Sequence, residues 1–208
     1  MLDVVWRDAA GAVLPLDLRR WSGPATTAEQ ALLARLDGPV LDVGCGPGRL
    51  VGELVSRGIV SMGVDTSVSA VSMAVGRGWP VLRRSVFERL PGEGRWATVL
   101  LIDGNIGIGG DPLRLLQRCG QLAAPSGRVV VELADAATPS RRCTVRLERP
   151  GEVGPWFPWA VVGPDALDEL GRAAGFAGWR VDELDDGRLV GWLHGYAEPG
   201  RRAARQAG

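Results

Sequence analysis

The chain has 208 residues, of which 46% are hydrophobic and 23% charged. That suffices for one compact domain with a sizeable core and is not the composition of a disordered chain. Its 24 basic residues, all of them arginine, balance 24 acidic ones, so a whole-molecule footprint for nucleic acid is missing and any mechanism needing a lysine is excluded. The cysteines Cys45, Cys119 and Cys143 are too few and too scattered for a disulfide framework or a zinc site. No segment approaches the roughly 20 apolar residues of a membrane span, and "MLDVVWRDAAG" lacks the pattern of a signal peptide, so the chain reads as cytoplasmic.

The first periodic segment, "TAEQALLARL" from Thr27 to Leu36, predicts a helix capped by Thr26 or Thr27. "PVLDV" then reads as a short apolar strand that breaks at Gly44, and "RLVGELVSRG" as a helix ending at Gly58. The alternation repeats: strand "IVSMGVD", helix "SVSAVSMAVGRG", strand "WPVLRR", strand "WATVLLID". A helix over "DPLRLLQRCGQLAA" follows, with Asp111 as its cap and Pro112 in its first turn, and then strand "GRVVVEL". Short apolar runs separated by helices indicate a parallel sheet buried on both faces. After Leu133 the rhythm changes. "CTVRLER" and "WFPWAVV" predict strands around the loop "PGEVGP", and "PDALDELGRAAG" a helix. "GWRVDEL" and "RLVGWLH" predict a hairpin turning at Asp185-Asp186-Gly187. Residues 1–197 are expected to form one domain. Within it, 1–26 is expected to be a lid segment and 135–163 an insertion near the acceptor site. A frayed tail, 198–208, carries Arg201, Arg202 and Arg205.

The stretch "VLDVGCGPGRL", Val40 to Leu50, carries the chemistry. A strand, a glycine turn and a helix bring backbone N–H groups to one point at a helix N-terminus. The glycines Gly44, Gly46 and Gly48 are spaced G-x-G-x-G, and Arg49 holds the third position of the dinucleotide fingerprint. Asp42 stands just before the turn, where it would repel a pyrophosphate; unit charges about 4 Å apart interact by roughly 4 kcal/mol at an effective dielectric of about 20. S-adenosylmethionine has no phosphate and carries a sulfonium and an ammonium, so the same acid attracts it. Glycines let the backbone approach its methionine portion closely. Asp65 ends the second strand, 17 residues after Gly48, where a carboxylate can accept both ribose hydroxyl protons, a position that would also suit NAD. "VDTS", with Thr66, then caps the next helix. Ser85, Val86 and Phe87, at the end of the third strand, are expected to face the adenine.

"VLDVGCGPGRL", "GVDTS", "VLLIDGNIGIGG" and "LAAPSGRVVVEL", in this order, resemble the successive motifs of the class I S-adenosylmethionine-dependent methyltransferases, small-molecule type. The resemblance runs from Ala28 to about Leu133 and, as topology, to His194. It implies an α/β fold, a doubly wound, seven-stranded, mostly parallel sheet with an antiparallel last strand. It also implies S-adenosylmethionine as cofactor and S-adenosylhomocysteine as product. The cofactor site would then comprise Asp42, Gly44, Cys45, Gly46, Gly48, Asp65, Thr66, Ser85, Val86, Phe87, Asp103 and Gly104. Two positions depart from the family: Ser85 stands where many members have an acid near the adenine, and Trp96-Ala97 where an aromatic-acid pair is common.

The methyl acceptor is expected beyond the carboxyl ends of the strands, beside "IDGNIGIGG". Asn105 is a candidate for orienting it, with a simple left-handed turn as the competing reading. Glu132 is the best-placed candidate base, followed by Asp135; caps or solvated strand ends are the alternative for both. His194, the only histidine, is expected to be structural, and Cys45 to be a small packing residue. Asp17 and Trp21 belong to a segment able to fold over the site. Trp156, Phe157 and Trp159 can wall a pocket for a flat ligand or form a satellite core. The expected activity is methyl transfer to a small molecule, with no membrane partner and no nucleic acid. Methylation of a peptide or other macromolecule, a non-catalytic cofactor-binding module and an NAD-dependent reductase are the competing readings.

Overall fold

The structure, a computed structural model, describes residues 5–15 and 18–199. Asp17 and the arginines of the tail, Arg201, Arg202 and Arg205, lie outside the described residues. The chain begins with a hairpin of β1 (Val5–Asp8) and β2 (Val13–Pro15). Asp8 makes its turn: Oδ1 accepts the N–H groups of Ala10 and Ala12 at 3.0 and 2.8 Å, the local bonding for which aspartate is favoured in turns. A short helix α1 (Leu18–Ser22) leads to α2 (Thr27–Leu33). Thr26 and Glu29 cap α2 reciprocally: Thr26 Oγ1 accepts from the Glu29 N–H at 3.2 Å, and Glu29 Oε2 accepts from the Thr26 N–H at 2.9 Å, a capping box.

The central layer follows the predicted alternation: β3 (Val40–Val43), α3 (Arg49–Ser56), β4 (Ser61–Asp65), α4 (Val68–Gly76), β5 (Val81–Arg83), β6 (Trp96–Leu101), α5 (Pro112–Leu122) and β7 (Ala123–Leu133). Asp111 caps α5 as expected, accepting from the Arg114 N–H at 3.2 Å. Then come β8 (Arg141–Arg149), β9 (Glu152–Val153), β10 (Phe157–Val161), α6 (Leu167–Ala174), β11 (Gly178–Glu183) and β12 (Leu189–His194). The main sheet has the order β11-β12-β7-β6-β3-β4-β5. From β7 to β5 every pairing is parallel, and β12 runs antiparallel between β7 and β11. This is the doubly wound seven-stranded sheet expected. The chain order reverses between β3 and β6, which opens a crevice at their carboxyl ends, the place where such sheets bind ligands.

Strand periodicity divides the core. Leu41, Val43, Val99, Leu101, Val129 and Val131 pack toward Leu115 and Leu116 of α5 and Leu167 of α6. Val40, Leu100, Ile102 and Val130 pack toward Leu32 and Leu33 of α2 and Leu50 and Leu54 of α3. Asp42 has the parity of Val40, so its buried carboxyl faces the side that α2 and α3 cover. A second sheet, order β10-β8-β1-β2 with β9 on β8, combines the N-terminal hairpin with the inserted strands. Trp6, Phe157 and Trp159 meet edge to face on it, Trp6 and Trp159 with centroids 4.5 Å apart. Among the described residues, no helix is long and apolar enough to cross a membrane.

Gly52 lies inside α3, and a Cβ there would come within 2.4 Å of the Trp79 ring. Alanine gains about 1 kcal/mol of helix propensity over glycine, but overpacking costs about 1 to 3 kcal/mol. Gly52→Ala is expected to lower the thermal midpoint, and Trp79→Leu in the same chain to restore part of the loss. A Gly52→Ala chain more stable than the parent would show that Trp79 does not hold that position.

Candidate active site

The loop between β3 and α3 closes on β4. The carbonyl of Val64 accepts from Gly44 N at 2.8 Å and Cys45 N at 3.1 Å. Gly44, Gly46 and Gly48 have φ of 73°, 55° and 80°, the left-handed region that a Cβ disfavours. Asp65 serves as a brace: Oδ2 accepts from the Gly46 N–H at 2.9 Å and Oδ1 from the Ser67 N–H at 2.8 Å. Both oxygens keep a second lone pair. Thr66 is exposed beside it. The Cys45 side chain fills the space left by Gly63, where a Cβ would lie 2.5 Å from its sulfur. Burial pushes its thiol far up, which fits a packing role. No side chain caps the start of α3.

Arg49 does not point into the loop. It turns inward, its side chain 2% exposed, and joins two carboxylates. Nη2 lies 2.7 Å from Glu29 Oε1, and Nη1 and Nη2 hold Asp103 at 2.6 and 2.9 Å. Burial alone would raise the Glu29 carboxyl, but the Arg49 hydrogen bonds and charge, the Thr26 N–H and Arg20 outweigh it and bring it down to about 2. Burial would likewise lower Arg49, and its bonds to Asp103 and Glu29 push it up instead. The network extends through Arg20 and Arg188 to Glu132. Arg188 Nη1 lies 2.9 Å from Glu132 Oε2, whose other donors are Arg20 Nη2 at 3.3 Å and the Asp103 N–H at 3.2 Å. Arg188 also pairs with Asp186 at 2.8 Å.

Asp42 is 2% exposed. Burial drives its carboxyl up to about 7; Arg49 opposes this, and Asp103, Asp65 and Glu29 add to it. The acid expected to stand at the mouth of the loop therefore lies under it, and its carboxyl keeps its proton up to about 7.

A cavity of about 300 Å³ opens at the carboxyl ends of β6 and β7, lined by Arg20, Trp21, Asp103, Gly104, Glu132 and Trp159 among others. Trp21 also roofs the glycine loop: a Cβ on Gly46 would lie 2.5 Å from its indole nitrogen. Asn105 lies beside the cavity but spends its side-chain N–H groups on the carbonyls of Val43 and Gly44, at 3.0 and 2.9 Å. It clamps β6 to β3, and the left-handed residues there are Asp103 and Gly104. The Ser85 hydroxyl accepts from the Phe87 N–H at 3.3 Å. Val86 is buried, and Phe87 stacks under Arg114 at 4.5 Å. Trp156 is a correction: it lies outside the cavity wall, 45% exposed and stacked with Arg146. Asp135 and His194 are exposed.

The family model described as a methyltransferase domain matches residues 19–181. The chain belongs to the methyltransferase domain family. Among curated proteins none matches the sequence. Among solved structures, one similar fold is an S-adenosylmethionine-dependent methyltransferase from Bacteroides fragilis in complex with S-adenosylhomocysteine. It has a TM-score of 0.78 and 18% identity, over 94% of this chain and 88% of that one. Another is 1,6-didemethyltoxoflavin-N1-methyltransferase from Burkholderia thailandensis, with TM-score 0.60 and 21% identity over 87% and 82%. A third is an amino pentose methyltransferase from Micromonospora echinaspora, with TM-score 0.56 and 17% identity over 80% and 88%. The methyltransferase fold accounts for the crevice between β3 and β6 and for the glycine loop beside it.

Arg20, Glu29 and Arg188 were not legible as site residues in the sequence. The T-x-x-E pattern of Thr26 to Glu29 announces a helix start, but nothing in it says that the glutamate also neutralises a buried arginine from the next helix.

Two stability tests separate the two acids. Glu29→Ala takes one of two carboxylates from the buried Arg49, leaving Asp103, and is expected to cost up to about 3 to 5 kcal/mol; a loss under about 1 kcal/mol in denaturant titration contradicts the buried pair. For Asp42 the folded carboxyl stays protonated up to about 7 against 3.8 ordinarily, so the folded state binds more protons in that window and stability falls as pH rises through it. Asp42→Asn removes that slope. Its advantage over the parent is expected to be small at pH 4 and to reach at most about 4 kcal/mol above pH 7. An advantage independent of pH contradicts the burial of a titrating acid.

Proposed function

We propose that this protein transfers a methyl group from S-adenosylmethionine to a small-molecule acceptor held in the cavity beside Asp103 and Glu132. The observation that carries the reading is the electrostatics of the glycine loop. Arg49, the first residue after the loop, is claimed by Glu29 and Asp103, so it has no free charge to offer a pyrophosphate, which would instead face the Asp65 carboxylate. A ligand carrying a sulfonium and an ammonium meets favourable charge there.

The residues present fit such a ligand. The uncapped N-terminus of α3 offers N–H groups to a carboxylate, and Asp65 offers its remaining lone pairs to the ribose. The close approach of Trp21 to Gly46 marks where the backbone is bare of side chains. When bound, S-adenosylmethionine supplies an electrophilic methyl carbon. The chain's own part is alignment, holding the acceptor atom about 3 to 3.5 Å from that carbon and keeping water out under Trp21 and Trp159. A small acceptor agrees with the cavity volume and with the acceptors after which the toxoflavin and amino pentose enzymes are named.

Calorimetric titration tests the proposal. S-adenosylhomocysteine is expected to bind and NADH not. Asp65→Ala is expected to weaken the former by about 1.5 to 3 kcal/mol, through lost charge-assisted bonds to the ribose and a loosened Gly46. Tight NADH binding, or an unchanged affinity in Asp65→Ala, contradicts it.

A further inference from the structure

One nitrogen at the cavity has an unusual set of neighbours. Nη2 of Arg20 lies 3.0 Å from Glu29 Oε1, 3.0 Å from Asp103 Oδ1 and 3.3 Å from Glu132 Oε2. Three carboxylates, from α2, the turn after β6, and β7, converge on a single point, and the group filling that point comes from α1, in the segment that lines the cavity mouth. Arg20 meets them through two nitrogens, Nε donating to Glu29 Oε1 at 3.0 Å and Nη2 to Glu132 Oε2 at 3.3 Å, and three acceptors about one point also suit the three donors of an ammonium.

We propose that the methyl acceptor is a small amine whose nitrogen takes the place of the Arg20 guanidinium in the nest of Glu29, Asp103 and Glu132. This rests on the methyltransferase reading above and names the substrate class for the same cavity.

The charge balance favours a cation over an anion. Among the described residues, the connected network holds four carboxylates, Glu29, Asp103, Glu132 and Asp186, against three guanidiniums, Arg20, Arg49 and Arg188. Withdrawing Arg20 leaves a surplus of two negative charges at the cavity, which an ammonium repays in part and an acidic acceptor would aggravate. Arg49 is already held by two carboxylates and Arg188 by three, so neither of these guanidiniums is left for an anionic substrate. Among the described residues no cluster is arranged to hold a metal ion. Trp21 and Trp159 supply aromatic walls for the amine's apolar body and faces that favour a nearby cation. In the reaction the seated ammonium gives one proton to a carboxylate of the nest. The lone pair so exposed forms the new N–C bond, and the C–S bond breaks with its electron pair staying on sulfur.

The test uses the full chain saturated with S-adenosylhomocysteine and three probes of one shape: 2-phenylethylamine, 2-phenylethanol and phenylacetate. Binding is followed by ligand-observed NMR, with S-adenosylhomocysteine affinity measured in parallel by calorimetry. The amine is expected to bind at least tenfold more tightly than the alcohol, and phenylacetate most weakly. Arg20→Gln removes the internal competitor and is expected to tighten the amine threefold or more, a gain that a merely structural arginine would not give. Asp103→Asn keeps the side-chain size and tolerates the left-handed backbone; with S-adenosylhomocysteine bound, it is expected to weaken the amine tenfold or more. Equal or absent amine binding, tighter phenylacetate binding, or a weaker amine in Arg20→Gln, with S-adenosylhomocysteine still bound, overturns the amine proposal alone. Failure to bind S-adenosylhomocysteine overturns the methyltransferase reading and this proposal together.

Discussion

The buried guanidinium of Arg49 pins the site together. It joins Glu29 on α2 to Asp103 at the end of β6, and it stands at the first residue of the helix that follows the glycine loop. Three segments far apart in sequence are thereby fixed around one charge. Asp103 sits at φ 62°, a conformation that costs a non-glycine residue on the order of 1 to 3 kcal/mol and persists only where its surroundings over-determine it. The paired N–H groups of a planar guanidinium supply that constraint, which a lysine ammonium would not. A buried ion pair adds little net stability compared with apolar packing. Its value here lies in specifying where the Asp103 backbone and carboxylate stand at the mouth of the crevice.

From that pin the remaining charges fall into place. With Arg49 turned inward, the loop keeps its backbone N–H groups and the carboxylate of Asp65, and Arg49 has no free charge to offer a phosphate. On the cavity side Asp103 passes its main-chain N–H to Glu132 and its carboxylate to Arg20. The donor and acceptor halves of the proposed site therefore share Asp103, and the short helix α1 touches both: Trp21 over Gly46 and Arg20 among the carboxylates.

Much of the main sheet was legible in the sequence, because each strand is a short apolar run and each helix has a cap or a glycine stop. Ser67, Asp111 and Thr26 cap as expected, and the Asp186-Gly187 turn joins β11 to β12. The glycine loop and Asp65 were legible for the same reason: their roles are local and backbone-driven. The second sheet was legible only in part: β8 and β10 match the expected strands "CTVRLER" and "WFPWAVV", but the hairpin that joins them was not seen. β1 and β2 span four and three residues, too short for periodicity to declare, and they gain their partner only through β8, more than 125 residues away in sequence. The ion network was hidden for a related reason. Arginines at 20, 49 and 188 look like solvated charges until the fold brings three carboxylates to them. Trp156 and Trp159 are three residues apart and looked equivalent, yet one lines the cavity and the other lies on the surface under Arg146.

The measurement that bears most directly on the central claim is a crystal structure with S-adenosylhomocysteine. The account predicts the ribose hydroxyls on Asp65, the methionine carboxylate at the start of α3 and the sulfur facing the cavity beside Asp103, with Arg49 still bound to Glu29 and Asp103. A nucleoside seated away from Asp65, or an Arg49 released from its acids to hold the ligand, would contradict it.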